Sequence, residues 1–363
     1  MLLFLIRRTG VMIVTALCLT FVVFYLTNLP AKLETLAKTQ AGTRISDAEV
    51  VTWLDRNGYG QPMLVRYGEW LGVMPGWTRE VSDEVMDGRC YRAYDLREPG
   101  SAPTRCGLFQ GYWGESTRFR ATVAEVIPTR LGATGLLMMW ALIVMVPMAL
   151  VVGVAAGMRE GSRTDRSLST FAIASTATPE YVSGVVFIAL LASSTAGLSP
   201  LLAQWGWIDG PVLFQGNARS ALEKITFWNF TLPVLTIALY GMGYIARITR
   251  ASMTEVMTQQ YIRTARLKGV SFANIVLRHA LRNALIAPFT VIMLQIPWLL
   301  TGVVIVEVLF SYPGFGWTLF EAAVNNDIEL LLAASVVAVI VVLLTQLISD
   351  IGYVYLNPRI RVT

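Results

Sequence analysis

Six long apolar runs constrain the fold of this chain more than any other feature of its sequence. They cover residues 9–31, 131–158, 167–193, 225–246, 283–306 and 330–355. Each is longer than the roughly 20 residues that an α-helix needs to cross the hydrocarbon core of a bilayer. Only 15% of the 363 residues are charged, against about 25% in soluble domains. The sequence therefore predicts an all-α integral membrane protein with six transmembrane helices.

The distribution of Lys and Arg predicts the orientation of these helices. Both termini and the short segments on their side contain 14 Lys or Arg, whereas the two shorter segments opposite contain two, Arg219 and Lys224. Because Lys and Arg resist translocation, the basic side and both termini are predicted to be cytoplasmic. The first run has 23 uncharged residues. A cleaved signal peptide has an apolar core of only about 7–15, so residues 1–31 are predicted to form a retained helix.

Residues 32–130 form the longest polar segment, and this orientation places them outside the membrane. They contain 13 basic and 13 acidic residues, and long segments cross a membrane largely regardless of charge. Cys90 and Cys106 both fall in this segment. Two thiols in an oxidising compartment tend to pair. We predict a disulfide between them, and two separate free cysteines are the alternative.

A basic stretch at residues 247–288 separates the fourth run from the fifth. It contains seven Lys or Arg against a single acid. Tyr261, Ala265 and Gly269 recur every four residues, so they form one stripe on a helix, and small residues there let another backbone approach. Gly269 can end that helix in the left-handed conformation. The stretch predicts either a docking helix or an ordered loop held by anionic lipid headgroups.

Three motifs carry a family resemblance. Tyr261-Ile-Arg-Thr-Ala-Arg-Leu-Lys-Gly269 and Leu277-Arg-His-Ala-Leu-Arg-Asn-Ala284 resemble the cytoplasmic loop of permease subunits in the oligopeptide/dipeptide class of bacterial ABC importers. Glu307-Val-Leu-Phe-Ser-Tyr-Pro-Gly-Phe-Gly316 resembles the external loop between that family's last two helices. The resemblance covers most of the chain outside residues 79–105. These residues depart from the family's pattern and look like an insertion relative to it.

The resemblance implies a type I ABC importer permease fold in the bacterial inner (plasma) membrane. In that family the cytoplasmic loop is a coupling helix that seats in a groove of the ATPase subunit, which assigns ATPase coupling here to Tyr261, Thr264, Ala265 and Gly269. The implied partners are a second homologous permease, two ATP-binding cassette ATPases, a periplasmic solute-binding protein and membrane lipid. ATP would be bound by the partner subunits, so this chain needs no cofactor. Family members serve peptides, nickel, opines or oligosaccharides, and the substrate stays open.

Two polar residues inside the predicted spans are candidates for the translocation path. Glu180 follows Pro179 in the third run, and Gln295 precedes Pro297 in the fifth. Polar side chains are costly in lipid and should face protein or water. They either line a path or join helices through hydrogen bonds, which are often worth only about 0.6 kcal/mol each.

Other classes of function find little support in the sequence. The chain has no Gly-x-x-x-x-Gly-Lys-Ser/Thr loop for nucleotide phosphates, and His279 is its only histidine. We therefore predict neither an enzyme nor a metal centre. Scattered Arg residues without stacking aromatics argue against nucleic acid as a partner. A secondary transporter or channel is the remaining alternative, but the paired broken helices of two related transporter halves are not evident.

These inferences divide the chain into four predicted regions. They are an N-terminal helix at 1–31, an external segment at 32–130, a five-helix core at 131–355 with its coupling loop at 247–282, and a cytoplasmic tail at 356–363.

Overall fold

Helices make up most of the structure, a computed structural model that describes residues 2–42 and 44–356. All but the first residue of the predicted tail at 356–363 lies outside the described residues. The chain divides into two units. One combines residues 1–130 with 318–341, and the other combines residues 131–317 with 342–363. The predicted all-α fold is confirmed, with two short β-hairpins added to it.

The first unit begins with four helices and then contains the two hairpins. Its elements up to residue 122 are α1 Leu2–Thr27, α2 Pro30–Ala41, α3 Asp47–Arg56, α4 Met63–Leu71, β1 Thr78–Ser82, β2 Val85–Gly88, α5 Arg89–Ala93, a 3-10 turn at Leu108–Gln110, β3 Glu115–Ser116 and β4 Ala121–Thr122.

The remaining helices belong wholly or partly to the second unit. They are α6 Val123–Gly157, α7 Arg163–Ala177, α8 Glu180–Phe187, α9 Leu198–Gln204, α10 Phe227–Met257, α11 Gln260–Leu267, α12 Phe272–Asn274, α13 Leu281–Ala284, α14 Ile286–Leu309, α15 Phe315–Val324 and α16 Ile328–Leu356. A π-helical turn at Ile188–Ala192 follows α8, another at Ile275–Ala280 joins α12 to α13, and a 3-10 turn at Arg219–Leu222 precedes α10.

Local sequence signals explain where several helices begin. Ser46 caps α3 with a capping box, in which its backbone N–H donates to Glu49 Oε2 over 2.7 Å and its Oγ accepts from the Glu49 N–H over 3.4 Å. Thr226 and Asn229 form the same reciprocal pair at the start of α10. Such caps satisfy backbone N–H groups that have no partner inside the helix.

The core of the first unit joins residues that are far apart in sequence. Phe24 of α1 and Trp70 of α4 are buried together with Ile328, Leu332 and Val336 of α16. The β1–β2 hairpin is antiparallel and lies largely within the predicted insertion. Residues 318–341 therefore complete the hydrophobic core of a unit that consists mainly of the first 130 residues.

The second unit is built around α10. Leu232, Ile237 and Met242 of this helix are fully buried in its main core cluster. A Cβ atom added to Gly153 of α6 would lie 2.5 Å from the carbonyl oxygen of Ala246. The two helices can approach this closely only because glycine stands there, as is typical of helix packing in membranes.

Within residues 2–42 and 44–356, four helices are long and apolar enough to cross a membrane. They are Ile6–Thr27, Val123–Gly157, Phe227–Met257 and Ile328–Ser349. Two further pairs are bent, by 104° between α7 and α8 and by 51° between α13 and α14. The sharper bend lies at Pro179, because proline disfavours helical backbone in the residue before it. Six spans, the predicted number, result if each bent pair counts as one.

Candidate functional site

The predicted docking segment forms the short helix α11, whose inner side packs against its own chain. Ile262 and Ala265 are buried in a cluster with Met253 of α10 and with Ile275 and Val276 of the second π-helical turn. The spacing of three residues between Ile262 and Ala265 puts them on one face of the helix. The helix is therefore anchored to the end of α10 and to the turn that leads into α13.

The end of α11 confirms the prediction for Gly269. This residue has a left-handed φ of 74°. Its N–H donates to the Arg266 carbonyl over 3.1 Å, and the N–H of Val270 donates to the Ala265 carbonyl over 3.2 Å. These two bonds define a Schellman motif, and Val270 packs against the same cluster as Ala265, as such motifs commonly do. The turn after α11 is fixed by its sequence.

The predicted stripe of Tyr261, Ala265 and Gly269 does not form one outward face, and this corrects the sequence interpretation. Ala265 is only 8% exposed and points into the core of this chain. Tyr261 is exposed, and its hydroxyl accepts a hydrogen bond of 3.0 Å from Asn283 Nδ2. Thr264 is exposed as well. A spacing of four residues drifts around a helix of 3.6 residues per turn, so it does not fix which side is buried.

The exposed side of α11 carries a residue that the sequence analysis missed. Leu267 is 82% exposed, the highest value among the large hydrophobic side chains that the structure describes. We call the set of exposed residues around it the outer face of α11. It consists of Tyr261, Arg263, Thr264, Arg266, Leu267 and Lys268. Single exposed hydrophobic residues are common on protein surfaces, so the exposure of Leu267 is informative only together with the basic residues around it and the buried opposite side of the helix. Leu267 lies within the Tyr261–Gly269 motif, but periodicity alone did not separate it from the buried positions.

An ion pair ties α7 to the part of α10 that precedes α11 in the chain. Arg250 Nε and Nη2 donate to the two carboxylate oxygens of Asp165 over 2.5 and 2.9 Å. Asp165 also accepts from the Gly161 N–H over 2.9 Å and from Ser169 Oγ over 3.1 Å. A bidentate Arg–carboxylate pair fixes orientation as well as distance. The turn before α7 is thereby held to α10 a short way before α11.

The structure brings the two predicted path residues onto one helix face. Gln295 is buried on α14. Glu180 begins α8, and its carboxylate lies against Gly302 of α14, where an added Cβ would be 2.9 Å from Oε2. Residues 295 and 302 are two turns apart on the same side of α14. Between them, Trp298 stacks on Tyr240 of α10 with ring centroids 4.8 Å apart. A row of polar and aromatic groups thus follows this side of α14.

Glu307 is a second residue whose role the sequence did not predict. It is fully buried, and its two oxygens accept from Thr134 Oγ1 and, over 2.9 Å, from the Trp317 N–H. Tyr312 donates to the Ala133 carbonyl over 2.8 Å, and both Ala133 and Thr134 belong to α6. The motif from Glu307 to Gly316 is therefore bound to α6 through buried hydrogen bonds.

The two predicted partner cysteines meet in the first unit. Cys90 and Cys106 are joined by a disulfide, with their Cα atoms 5.4 Å apart. Both are buried, whereas Cys18 is free and exposed. The bridge attaches α5 to the segment that precedes the 3-10 turn.

Comparison with known proteins gives consistent matches. Residues 149–362 match the family described as the binding-protein-dependent transport system inner membrane component. A di/tripeptide transport system permease protein of Pseudomonas aeruginosa (strain UCBPP-PA14) is 32% identical over 313 residues, which are 83% of this chain and 90% of that protein. An oligopeptide transport system permease protein of Bacillus subtilis (strain 168) is 28% identical over 320 residues, which are 88% and 87% of the two chains. A solved amino acid ABC transporter is 16% identical, with a TM-score of 0.45 over 63% of this chain and 93% of that one.

Proposed function

The chain belongs to the family of binding-protein-dependent transport system inner membrane components, and on that premise we propose that it forms half of the translocation pathway of a peptide importer. As a permease subunit of an ABC importer it is a multi-pass membrane protein that works with other ABC components. The peptide substrate is supported by the relatives named as di/tripeptide and oligopeptide permeases. Nickel, opines and oligosaccharides are the alternative substrates. The chain itself carries out no covalent chemistry in this proposal.

The assembly that we propose contains a second, homologous permease, two ATPase subunits and an external solute-binding protein. Both termini of this chain and α11 lie on the cytoplasmic side, which the excess of Lys and Arg there favours. ATP binds to the ATPase subunits, and their closure moves α11. Rigid movement of packed helices then changes access to the path.

The outer face of α11 is the surface that we propose to dock on the ATPase. One observation carries this proposal: Leu267 is exposed beside basic residues, while Ile262 and Ala265 on the other side are fixed in the chain's own core. A pull on α11 would be transmitted through this core to α10 and through the second π-helical turn to α14. Thr264 and Tyr261 belong to the docking surface, and Gly269 shapes its end.

Glu180 and Gln295 are the side chains that we propose to line the path. The row along α14 supports this, since it places Gln295, Trp298 and the Glu180 carboxylate on one side of that helix. Polar groups at membrane depth face protein or a water-filled cavity. Helix packing without a transport role remains the alternative for both residues.

The substitution Leu267→Glu tests the docking surface. It adds a carboxylate at the centre of the outer face, and burying an unpaired charge in a protein contact is strongly unfavourable. We expect the variant to accumulate in the membrane at the wild-type level but to lose the ATPase subunits on purification and to lose import. Ala265→Glu is unsuitable for this purpose, because it would place the charge in the core of this chain.

Leu64→Glu is the matched control for this experiment. Leu64 lies on α4 and is 67% exposed, so the same exchange there changes the same amount of charge and volume. We expect ATPase binding to be unchanged in the control. Import at the wild-type rate by the Leu267→Glu variant, with the ATPase subunits still bound, would contradict docking through this face.

A further inference from the structure

An apolar groove in the second unit has no part in the proposed path or in the proposed docking surface. It runs between the end of α6 and the segment from α12 to the start of α14, and its volume is about 540 Å³. Sites for small molecules commonly have volumes of about 300–1,000 Å³. Six lining residues belong to residues 150–159 and six to residues 272–285. Eleven of these twelve residues are apolar, and the twelfth is Arg159.

The groove opens to the surface of this unit. Val151 is 68% exposed, Leu277 is 63% exposed and Phe272 is 40% exposed. In a chain that spans a membrane, apolar surface of this kind contacts lipid or another protein. Exposure alone does not distinguish the two, so the occupant has to be identified from the position and the charge of the groove.

The floor of the groove belongs to a packed core. Val276 is 5% exposed, and Val154 and Met158 pack against the same cluster as Ile262 of α11. The core that anchors α11 therefore also fixes the shape of the groove before any ligand enters. A preformed site loses less conformational entropy on binding than one that the ligand must order.

Arg159 places a charge at one end of the groove. It is the last lining residue after α6, and its guanidinium lies over the ring of Phe272, the first lining residue of the other wall, 5.7 Å from the centroid. The side chain of Arg159 is exposed, and it forms no hydrogen bond or ion pair with residues 2–42 and 44–356. Its N–H groups are therefore both accessible and available to an acceptor from outside the chain.

The groove begins where both of its walls enter the membrane. Arg159 is the first charged residue after the apolar run at 131–158, and Arg282 is the last before the run at 283–306. Arginines at the ends of transmembrane helices lie at the level of the lipid headgroups. From Arg159 the groove follows α6 back to Leu150, which is roughly 14 Å at 1.5 Å per residue. It therefore leads from the headgroup level towards the hydrocarbon core.

The surroundings of this end carry an excess of positive charge. Residues 159–166 contain three arginines and two acids, and one of those acids, Asp165, is paired with Arg250. Residues 272–285 add Arg278 and Arg282 and contain no acid. Basic pockets between transmembrane helices favour lipids with anionic headgroups.

We propose that the groove binds one anionic phospholipid, with an acyl chain along its apolar walls and the phosphate on Arg159. A guanidinium can donate two parallel N–H groups to two phosphate oxygens. The basic residues around it favour a headgroup with a net negative charge over a zwitterionic one. The site requires only that the chain spans a membrane, so it goes beyond the proposed function and does not depend on the substrate or on the ATPase.

A helix of the second permease is the other occupant that such a groove could accept. It would cover the apolar walls, but it would also bury Arg159 and would have to supply an acid at that point, because a buried unpaired charge is costly. A phospholipid brings the apolar chain and the anionic group in one molecule. The charge at the end of the groove therefore favours lipid.

Native mass spectrometry of the purified full-length chain in detergent tests the proposal. The probes are palmitoyl-oleoyl phosphatidylglycerol and phosphatidylcholine, which share their acyl chains and phosphate and differ in net charge. One molecule of phosphatidylglycerol should be retained per chain, saturably and at least tenfold more tightly than phosphatidylcholine. Glycerol 3-phosphate, which lacks acyl chains, should not displace it.

Two substitutions separate the charge from the groove. Arg159→Gln should abolish the preference for phosphatidylglycerol over phosphatidylcholine. Ala273 lines the groove and is exposed, so Ala273→Trp places a large side chain where the acyl chain would lie. This variant should weaken the binding of both lipids at least tenfold. Size-exclusion chromatography shows whether each variant is folded and monodisperse, and if Ala273→Trp is not, Arg159→Gln and the two lipids decide.

Each substitution has a matched control. Arg163 is an exposed arginine in the same basic turn, but it does not line the groove, so Arg163→Gln removes the same charge outside the site. Ala174 is exposed on α7 and also lies outside the groove, so Ala174→Trp adds the same side chain elsewhere. Both controls should bind phosphatidylglycerol with the affinity and the preference of the wild type.

Three results would overturn the proposal. The first is retention of phosphatidylglycerol that is not saturable or is no tighter than that of phosphatidylcholine. The second is wild-type binding by the folded Arg159→Gln and Ala273→Trp variants. The third is loss of the second permease from Ala273→Trp on purification while lipid binding is unchanged, which would identify a protein helix as the occupant. None of these results bears on import, because the assay contains no ATPase and no transported substrate.

Discussion

Asp87 and Arg92 form a pair whose strength depends on pH. The two hydrogen bonds from Arg92, more than the charge of Arg79 nearby, hold the pKa of the Asp87 carboxyl below its usual range. A lowered pKa means that the carboxylate stabilises the folded state above its unfolded pKa of about 3.9. This contribution is lost as the pH falls through the folded-state pKa. Because the pair is partly exposed, we expect it to contribute about 1 kcal/mol.

Hydrogen exchange measures this contribution directly. Protection factors of amides in the β1–β2 hairpin and α5 should fall in the wild type between pH 6 and pH values below about 3.9. Asp87→Asn should lower the same protection at pH 6 and then change little on acidification. Glu84→Gln, in the exposed turn of this hairpin, should keep the wild-type pH dependence. The idea fails if Asp87→Asn loses as much protection on acidification as the wild type does.

Single residues were predictable from the sequence only where their backbone or their chemistry left few choices. Gly269 ends α11 because glycine has no Cβ and therefore adopts a positive φ without steric strain, and it is the only glycine in the Tyr261–Gly269 motif. The pairing of Cys90 with Cys106 was predictable because they are the two cysteines of residues 32–130. Ala265 was placed wrongly on the outer side, because an alanine suits a buried position as well as a docking surface. Leu267 was missed, since only the three-dimensional contacts of α11 identify its outer face.

Among the elements, α11 depends most on the residue that ends it. Gly269→Ala should destabilise the last turn of α11 by about 1–2 kcal/mol, because an L-residue resists the left-handed conformation. A Cβ at this position would meet no atom within 4 Å. The cost therefore comes from the backbone alone. Faster amide exchange in α11, with exchange in α10 unchanged, is the expected result.

Gly132→Ala is the control for that substitution. A Cβ added to Gly132 would also meet no atom within 4 Å, but this residue lies inside α6. There, alanine favours the helix by up to about 1 kcal/mol over glycine. The control should therefore leave the exchange of α11 unchanged. Equal exchange in α11 for wild type and Gly269→Ala would show that the left-handed turn does not limit this helix.

The sequence predicted the elements well where hydrophobicity decides them. The apolar run at 225–246 predicted the start of α10 within two residues. The helix itself continues to Met257, because Arg247 and Arg250 end the apolar run without breaking the helix. Pro179 marked the break between α7 and α8, whereas its angle of 104° depends on packing. The β1–β2 hairpin was not predicted, because its strands are short and lie in a segment of mixed charge.

At the scale of the whole molecule, the oxidation state of the cysteines indicates whether the first unit lies in an oxidising compartment. We predict that the non-reduced, denatured chain exposes one alkylatable thiol, that of Cys18, and that Cys90 and Cys106 are recovered as one cross-linked peptide. A bridge closing a loop of about 15 residues stabilises the folded state by about 3 kcal/mol in the chain-entropy model. Persistence of the bridge favours an oxidising location for the first unit.

Mass spectrometry with and without reduction decides this point. Cys18 serves as the internal control, because it should be alkylated under both conditions. Three alkylated thiols without reduction would contradict the bridge and remove the support that it gives to an external location of residues 32–130. The outcome is independent of substrate and of the ATPase.

The first unit also depends on the order in which the chain is made. Ser116 donates to Asp327 over 2.6 Å, although the two residues are 211 positions apart. At synthesis rates of about 5–20 residues per second, the ribosome needs roughly 10–40 s to travel from one to the other. During that interval Phe24 and Trp70 lack Ile328 and Leu332, with which they are buried in the folded unit. A nascent chain interrupted before residue 318 would therefore leave its earliest unit unfinished and open to chaperones and proteases.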